Sequence, residues 1–467
     1  MTIGQPIAEK RPRFLGRRAF LAAAIALPFG SACATIDLVA RSIAMKAKPS
    51  VPELPTVRIA YPKLDYYYPL KTRLHTAAKD IPAERAFNVD IQPISLAIPT
   101  GENDSLDIPP PMAQMPRVYA ERLRTSTFKS DLVVIDPATI GGLAHADVLH
   151  DLGPLLARES WYASDAFVGG ALGAGTHGGK LLAVPIEVTV EMVWRNRVAW
   201  SARGIEAPPV DWRWEQFVDA ARRLTGGSGS RAWGCQITPT SPSLWAVAWQ
   251  QGAEVVSPDG TRFTLTEPGT IRAAAFLSDL VNRYHVTPAF DGALPSPEVH
   301  PLTRAYGLDT ARFGRQFPYG VATAGGFVGG PAWARPIDGQ LTALPTDGKP
   351  TFLGVAFLML GIPKHAPDLR QSLAALRAYV EVGGQTLLTP TRGALSNLRT
   401  DAMGLSDVEA NALRTTVENA RYMPADLPLD LIATAQREFI VPVLQGTRPP
   451  DLAARDARMS IEARLRH

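Results

Sequence analysis

Residues 131–136 read Asp-Leu-Val-Val-Ile-Asp, an unbroken apolar run with an acid at each end. A run without alternation needs both faces buried, which is the pattern of a parallel strand covered by helices. Asp136 then stands at the carboxyl end of that strand. Residues 57–61 predict a first strand ended by Pro62, and residues 181–186 and 352–360 predict two more. Between them, residues 212–225 put Trp214, Phe217, Val218, Ala221 and Leu224 on one helical face. The Gly226–Ser230 run, rich in glycine, stops that helix. Residues 271–284 and 368–382 predict further helices. Strands alternate with helices and no repeat is present, so the expected class is α/β.

Length sets the scale. A chain of 467 residues exceeds one ordinary core and suits two domains or one two-lobed body. With 46% apolar and 20% charged residues the composition is globular. No stretch approaches the roughly 20 apolar residues of a membrane-spanning helix. Residues 93–116 are proline-rich and aperiodic, include Pro109-Pro110-Pro111, and predict a long surface loop.

The amino terminus predicts export. Five basic residues against Glu9 in residues 1–18 account for the whole net charge of +4, so the rest is near neutral and nucleic acid is not an expected partner. An Ala-rich apolar run, residues 19–29, follows; it has signal-peptide length. Arg17-Arg18-Ala19-Phe20-Leu21 fits a twin-arginine core, with export by the general secretory route as the other reading. Gly30-Ser31-Ala32-Cys33 resembles a lipobox, which makes Cys33 the lipidation residue. Ala32-Cys33-Ala34 is also an A-x-A cleavage site that would release the protein. Residues 1–34 are therefore read as a signal peptide and 35–55 as a tether. The expected location is extracytoplasmic: periplasmic, or anchored on the outer face of the cytoplasmic membrane. Cys235 is expected as a small buried hydrophobe.

Motifs for covalent or cofactor chemistry are missing from the sequence. Gly173–Gly178 fits G-x-G-x-x-G, but a strand, not a helix, is expected after it. There is no H-E-x-x-H, C-x-x-C or G-x-S-x-G. No cofactor and no metal are expected. Glu187 and Glu191 would share one face if their segment is a strand; they would then form a salt bridge, lie on a solvated edge, or make a carboxylate pair for glycoside hydrolysis. Seven tryptophans fall between Trp194 and Trp249. Trp214 and Trp249 read as core, and Trp245, in the Pro/Ser-rich stretch Thr-Ser-Pro-Ser-Leu-Trp, reads as a turn residue lining a cleft. Aromatic faces of this kind stack on sugar rings.

Four segments, in order, resemble the extracellular solute-binding proteins of ABC importers, of the sugar-binding type. They are residues 131–156; 178–225, with a Gly-Lys turn, Ala-Val-Pro strand, Asn196 and Trp-Glu-x-Phe helix start; 249–288, beginning Trp-Gln-Gln-Gly-Ala-Glu; and 352–385, with Pro363-Lys364-His365. Together the resemblance covers about residues 55–430. Residues 93–116, Phe313–Phe317, and Ile135 and Ala138 depart from the sugar-binding pattern, which leaves the solute open.

The resemblance implies a two-lobed type II binding-protein fold, each lobe a mixed sheet with flanking helices, and a ligand cleft between them. Lobe 1 would take residues 55–188 and 357–403, and lobe 2 residues 189–356 and 404–467. It implies a monomeric, non-enzymatic protein that closes on a carbohydrate or related polar solute and delivers it to permease subunits, touching membrane only through a lipid anchor. The expected ligand residues are Tyr66, Tyr67, Asp136, Glu187, Thr189, Trp245, Phe327, Arg392 and Asn397. Thr189 falls where sugar-binding members touch sugar. Trp245 and Phe327 would be stacking platforms, and Arg392 and Asn397 would sit in a loop after the returning helix. An exported hydrolase on the same frame, or a sensory binding protein, are the alternatives.

Overall fold

The computed structural model describes residues 54–63, 68–96, 114–137, 139–226, 233–237, 242–257, 262–287, 322–328, 339–347, 350–383, 387–401, 404–422 and 429–465. Residues 1–53 with Cys33, and Tyr66, Tyr67, Ala138 and residues 313–317, lie outside these.

β1 (Thr56–Lys63) is followed by α1 (Tyr68–Lys79) and β2 (Asn88–Ser95), which runs parallel to β1 from Thr56 opposite Asn88 to Lys63 opposite Ser95. α2 (Met115–Thr125) leads to β3 (Leu132–Ile135), parallel to β1 on its other side and buried throughout, as its apolar run requires. Pro62 does not end β1. The β3 pairing stops at Ala60, so beyond that residue one side of β1 asks for no backbone donor and proline is tolerated. Of residues 93–116, expected as one loop, Pro93–Ser95 complete β2 and Met115 and Pro116 open α2.

α3 (Ile140–His145) and α4 (Gly153–Leu156) precede a hairpin of β4 (Thr176–His177) and β5 (Lys180–Leu181). Gly178 and Gly179 close it with φ of 55° and 78°, the left-handed pair that a two-residue hairpin turn needs. The glycine-rich stretch is thus a turn. Leu182 and Ala183 both donate their N–H to Gly175 O, at 2.9 and 3.2 Å, which lifts them out of the ladder. The strand expected over 181–186 is therefore split, and β6 (Val184–Asn196) starts afresh at Val184. Its 13 residues span about 43 Å, enough to serve two sheets.

α5 (Arg197–Ala202) is capped by the Asn196 side chain, which accepts from Ala199 N–H at 2.9 Å. α6 (Trp214–Leu224) buries Trp214, Phe217, Ala221 and Leu224, the face the sequence predicts. Trp212 stays outside it, its indole donating to Ala343 O at 2.8 Å. Next come β7 (Cys235–Ile237), with Cys235 fully buried, α7 (Pro242–Gln250), α8 (Pro268–Asn282), β8 (Ala322–Val328) and β9 (Gly339–Thr342). β10 (Phe352–Gly361) and α9 (Leu369–Glu381) match their expected segments closely, Asp368 capping α9 at Arg370 N–H and Gln371 N–H. α10 (Arg392–Ser396), α11 (Asp407–Glu418), β11 (Ala420–Tyr422), α12 (Leu429–Ala435), α13 (Val441–Leu444) and α14 (Pro450–Leu465) complete the chain.

The strands order as β2-β1-β3-β10-β6-β8-β7, with β11 on β10 and β9 on β6. β3 holds one edge of β10 near Gly361, and β11 holds the same edge near Phe352. Likewise β10 holds one edge of β6 up to Val190, and β9 takes over that edge from Val193. Among the described strands, only β6 and β10 run through both groups. Their pairing is irregular between Val355 and Met359, so a bulge sits at the crossing.

Candidate binding site at the crossing strands

Glu187, Thr189 and Glu191 alternate along β6 and so share one face, while Ile186, Val188, Val190 and Met192 take the other. All three polar residues are buried, which removes the solvated edge as a reading of the two glutamates. Thr189 pairs with Val355 on β10, and Glu191 with Phe327 on β8, so the face straddles the point where β6 changes partners. Arg73, from α1, reaches this face and forms an ion pair with Glu187, with both side chains nearly inaccessible. A buried guanidinium needs such a partner, because an unpaired charge in the interior is strongly destabilising.

Three further polar atoms in the interior have nothing to bond, one of them on the same β6 face. Among the described residues, Thr189 Oγ1, Trp245 Nε1 and Tyr422 OH are buried without a hydrogen-bond partner. Such groups cost about 1–3 kcal/mol each unless water or a ligand satisfies them. Burial pushes the Tyr422 phenol far up, so it stays a neutral donor. Its ring is clasped between glycines: a Cβ on Gly354 would lie 2.7 Å from the ring, and one on Gly169 would lie 3.0 Å from it.

The remaining expected residues fall in other settings. Asp136 is buried at the end of β3 and accepts from Thr139 N–H at 2.9 Å, capping the approach to α3. It also lies near enough to Tyr119 to help burial raise that phenol. Trp245 is not in a turn. It lies on α7, 2% exposed, its ring edge-on to Trp249 at 5.7 Å. The Pro/Ser stretch before it opens a helix, proline being favourable in a first turn. Arg392 and Asn397 are not in a loop either; they begin and cap α10, and both are exposed. Thr391 caps that helix by accepting from Ala394 N–H. Phe327 takes its place on β8 opposite Glu191. The structure thus brings Glu187 and Thr189 onto one face and sets Phe327 beside it in register. Arg73 and Tyr422 were missed: Arg73 sits in an unremarkable polar helix, and Tyr422 is marked only by glycines far away in the chain. Glu191 was legible from alternation.

Comparison with known proteins bears on this frame. Residues 118–293 match the model of the bacterial extracellular solute-binding protein family. That interval contains three of the four segments that carry the sequence resemblance. Curated binding proteins of Brucella abortus and Brucella suis are 27% identical over 106 residues, 22% of this chain. The match spans a quarter of the length of those relatives. Among solved structures, the sugar-binding protein MalE of Xanthomonas citri superposes with a TM-score of 0.63 at 15% identity, over 88% of this chain and 98% of that one. UgpB of Mycobacterium tuberculosis, in complex with glycerophosphocholine, gives 0.60 at 16% identity over 88% and 98%. An ABC substrate-binding protein of Listeria monocytogenes, in complex with cycloalternan, gives 0.57 at 15% identity over 88% and 99%. The chain therefore has the two-lobed α/β fold of the solute-binding proteins. The Glu187–Thr189–Glu191 face lies on β6, one of the two long strands paired at the centre of the sheet.

Proposed function

We propose that this protein is an extracytoplasmic solute-binding protein that captures a carbohydrate or related polar solute between its lobes and hands it to the permease of an ABC importer. The observation that carries the reading is the buried polar face of β6, where Thr189 Oγ1 has no partner among the described residues beside an ion-paired Glu187. Carboxylates accept from sugar hydroxyls, Thr189 can donate or accept, and Trp245 Nε1 can donate. A single face on a strand shared by both lobes suits capture by hinge closure. The solved relatives named above hold cycloalternan in one case and glycerophosphocholine in another, which supports a polar, hydroxyl-bearing solute.

In this reading the lobes divide at 188/189 in β6, at 356/357 in β10 and at 403/404 before α11. Tyr66, Tyr67, Asp136, Phe327, Arg392 and Asn397 remain proposed contacts. The leader exports the protein through the twin-arginine route, Cys33 carries a lipid, and the mature protein acts as a monomer. Mass spectrometry of the exported protein tests the anchor: a diacylated Cys33 supports it, and a chain beginning after Ala34 removes it.

Calorimetric titration with mono-, di- and oligosaccharides, polyols and phosphorylated polyols tests the function. Selective stoichiometric binding without product supports it. Turnover of a glycoside would favour a hydrolase, and silence across the panel would remove carbohydrate capture.

A further inference from the structure

A pocket of about 510 Å³ lies away from the β6 polar face, at the opposite end of the first group of strands. It is built by the carboxyl end of α3, the loop into α4, the β4–β5 hairpin and the Pro363-Lys364 turn. Its floor is apolar, from Leu149 and Leu182. Its rim carries three imidazoles, His145, His150 and His177, and two ammonium groups, Lys180 and Lys364.

Two carboxylates also face it, and both are engaged. Asp147 takes Lys364 Nζ at 2.5 Å, and Asp151 accepts from Gly153 N–H at 3.0 Å. Arg124, from α2, adds a positive charge close to Asp147 and holds Ala146 O. With neutral imidazoles the lysines and aspartates balance, leaving Arg124 in excess. Protonation of His150 then adds one positive charge to a cavity whose acids are already occupied.

We propose that this pocket is a second ligand site, for a phosphate group or similar small oxyanion, whose binding is coupled to protonation of His150. Burial and Lys364 hold His150 below its ordinary range. An anion reverses that balance, so binding takes up protons. The source of the phosphate is a free anion or a phospholipid head group. β1 starts at this same end, since β1 and β3 run away from it and β10 runs toward it. From Val184, beside the pocket, to Thr189 is about 16 Å along β6, so occupation here does not block the proposed solute face.

The test uses the purified full chain. Inorganic phosphate, and sulfate as a dianion of constant charge, are titrated calorimetrically at about pH 6 and about pH 8 in two buffers of different ionisation enthalpy. Sedimentation with phosphatidylcholine vesicles, with and without phosphatidylglycerol, forms the second arm. The expected result is binding with proton uptake, tighter at the lower pH, and weakened at least about tenfold by Lys180→Glu. Arg222→Glu, an exposed charge reversal on α6, leaves binding unchanged. Binding of the free anions alone assigns a soluble source, and phosphatidylglycerol-dependent sedimentation lost in Lys180→Glu assigns the lipid. No binding in either arm, or equal binding by Lys180→Glu with an unaltered Tm, overturns the proposal. Sugar binding by the same variant is measured alongside, so failure here stays separate from failure of the solute reading.

Discussion

Arg73 on α1 and Glu187 on β6 form an ion pair in the interior, 114 positions apart in the chain, beside the unpartnered hydroxyl of Thr189. The pair ties the helix after the first strand to the long strand β6. Removing one partner leaves a buried charge, so Arg73→Ala should destabilise the fold by about 3–5 kcal/mol. Arg73→Met with Glu187→Leu should recover much of that. Chemical denaturation measures both, and a single variant as stable as wild type would contradict the geometry.

Thr189→Val keeps shape and removes one hydroxyl. Because Oγ1 has no partner among the described residues, Tm should hold or rise slightly, while affinity for the solute should fall by about 0.5–1.5 kcal/mol. Trp245→Phe tests the indole N–H in the same way. Unchanged affinity in both variants would place the ligand elsewhere.

The Tyr422 clasp predicts a steric effect. Gly169 has φ of 61°, and its Cβ would also lie 2.4 Å from Ala420 O, so alanine there is strained by both backbone and neighbour. Gly169→Ala should cost about 1–3 kcal/mol. Pairing it with Tyr422→Leu should leave the backbone part of the cost. Thermal denaturation of the single and double variants separates the two.

Acidification should weaken the fold through His365. Its imidazole lies 3.3 Å from Ser130 Oγ, and burial, then Lys129, lower its pKa from the ordinary 6.5. The folded state therefore holds its proton less tightly than the unfolded state. Stability is full above the unfolded value and is lost as pH falls through it toward the folded value. His365→Gln should flatten that part of the stability profile; an unchanged slope would count against it.

What the sequence determined by itself was local and periodic. The Asp-Leu-Val-Val-Ile-Asp run could only be a buried strand, the Trp214–Leu224 spacing could only face a core from a helix, and alternation put Glu187, Thr189 and Glu191 on one side of β6. The order of the motifs carried the family resemblance. Tertiary structure decided the rest, because it turned on partners distant in the chain. Pro62 stayed in a strand because the β1–β3 pairing had already stopped at Ala60. Leu182 and Ala183 left their strand because Gly175 O claimed both N–H groups. Trp245 became helical and buried, Arg392 and Asn397 became the ends of a helix, and Arg73 found Glu187. None of these follows from nearest neighbours, since each depends on which groups the folded chain leaves unbonded or unpaired.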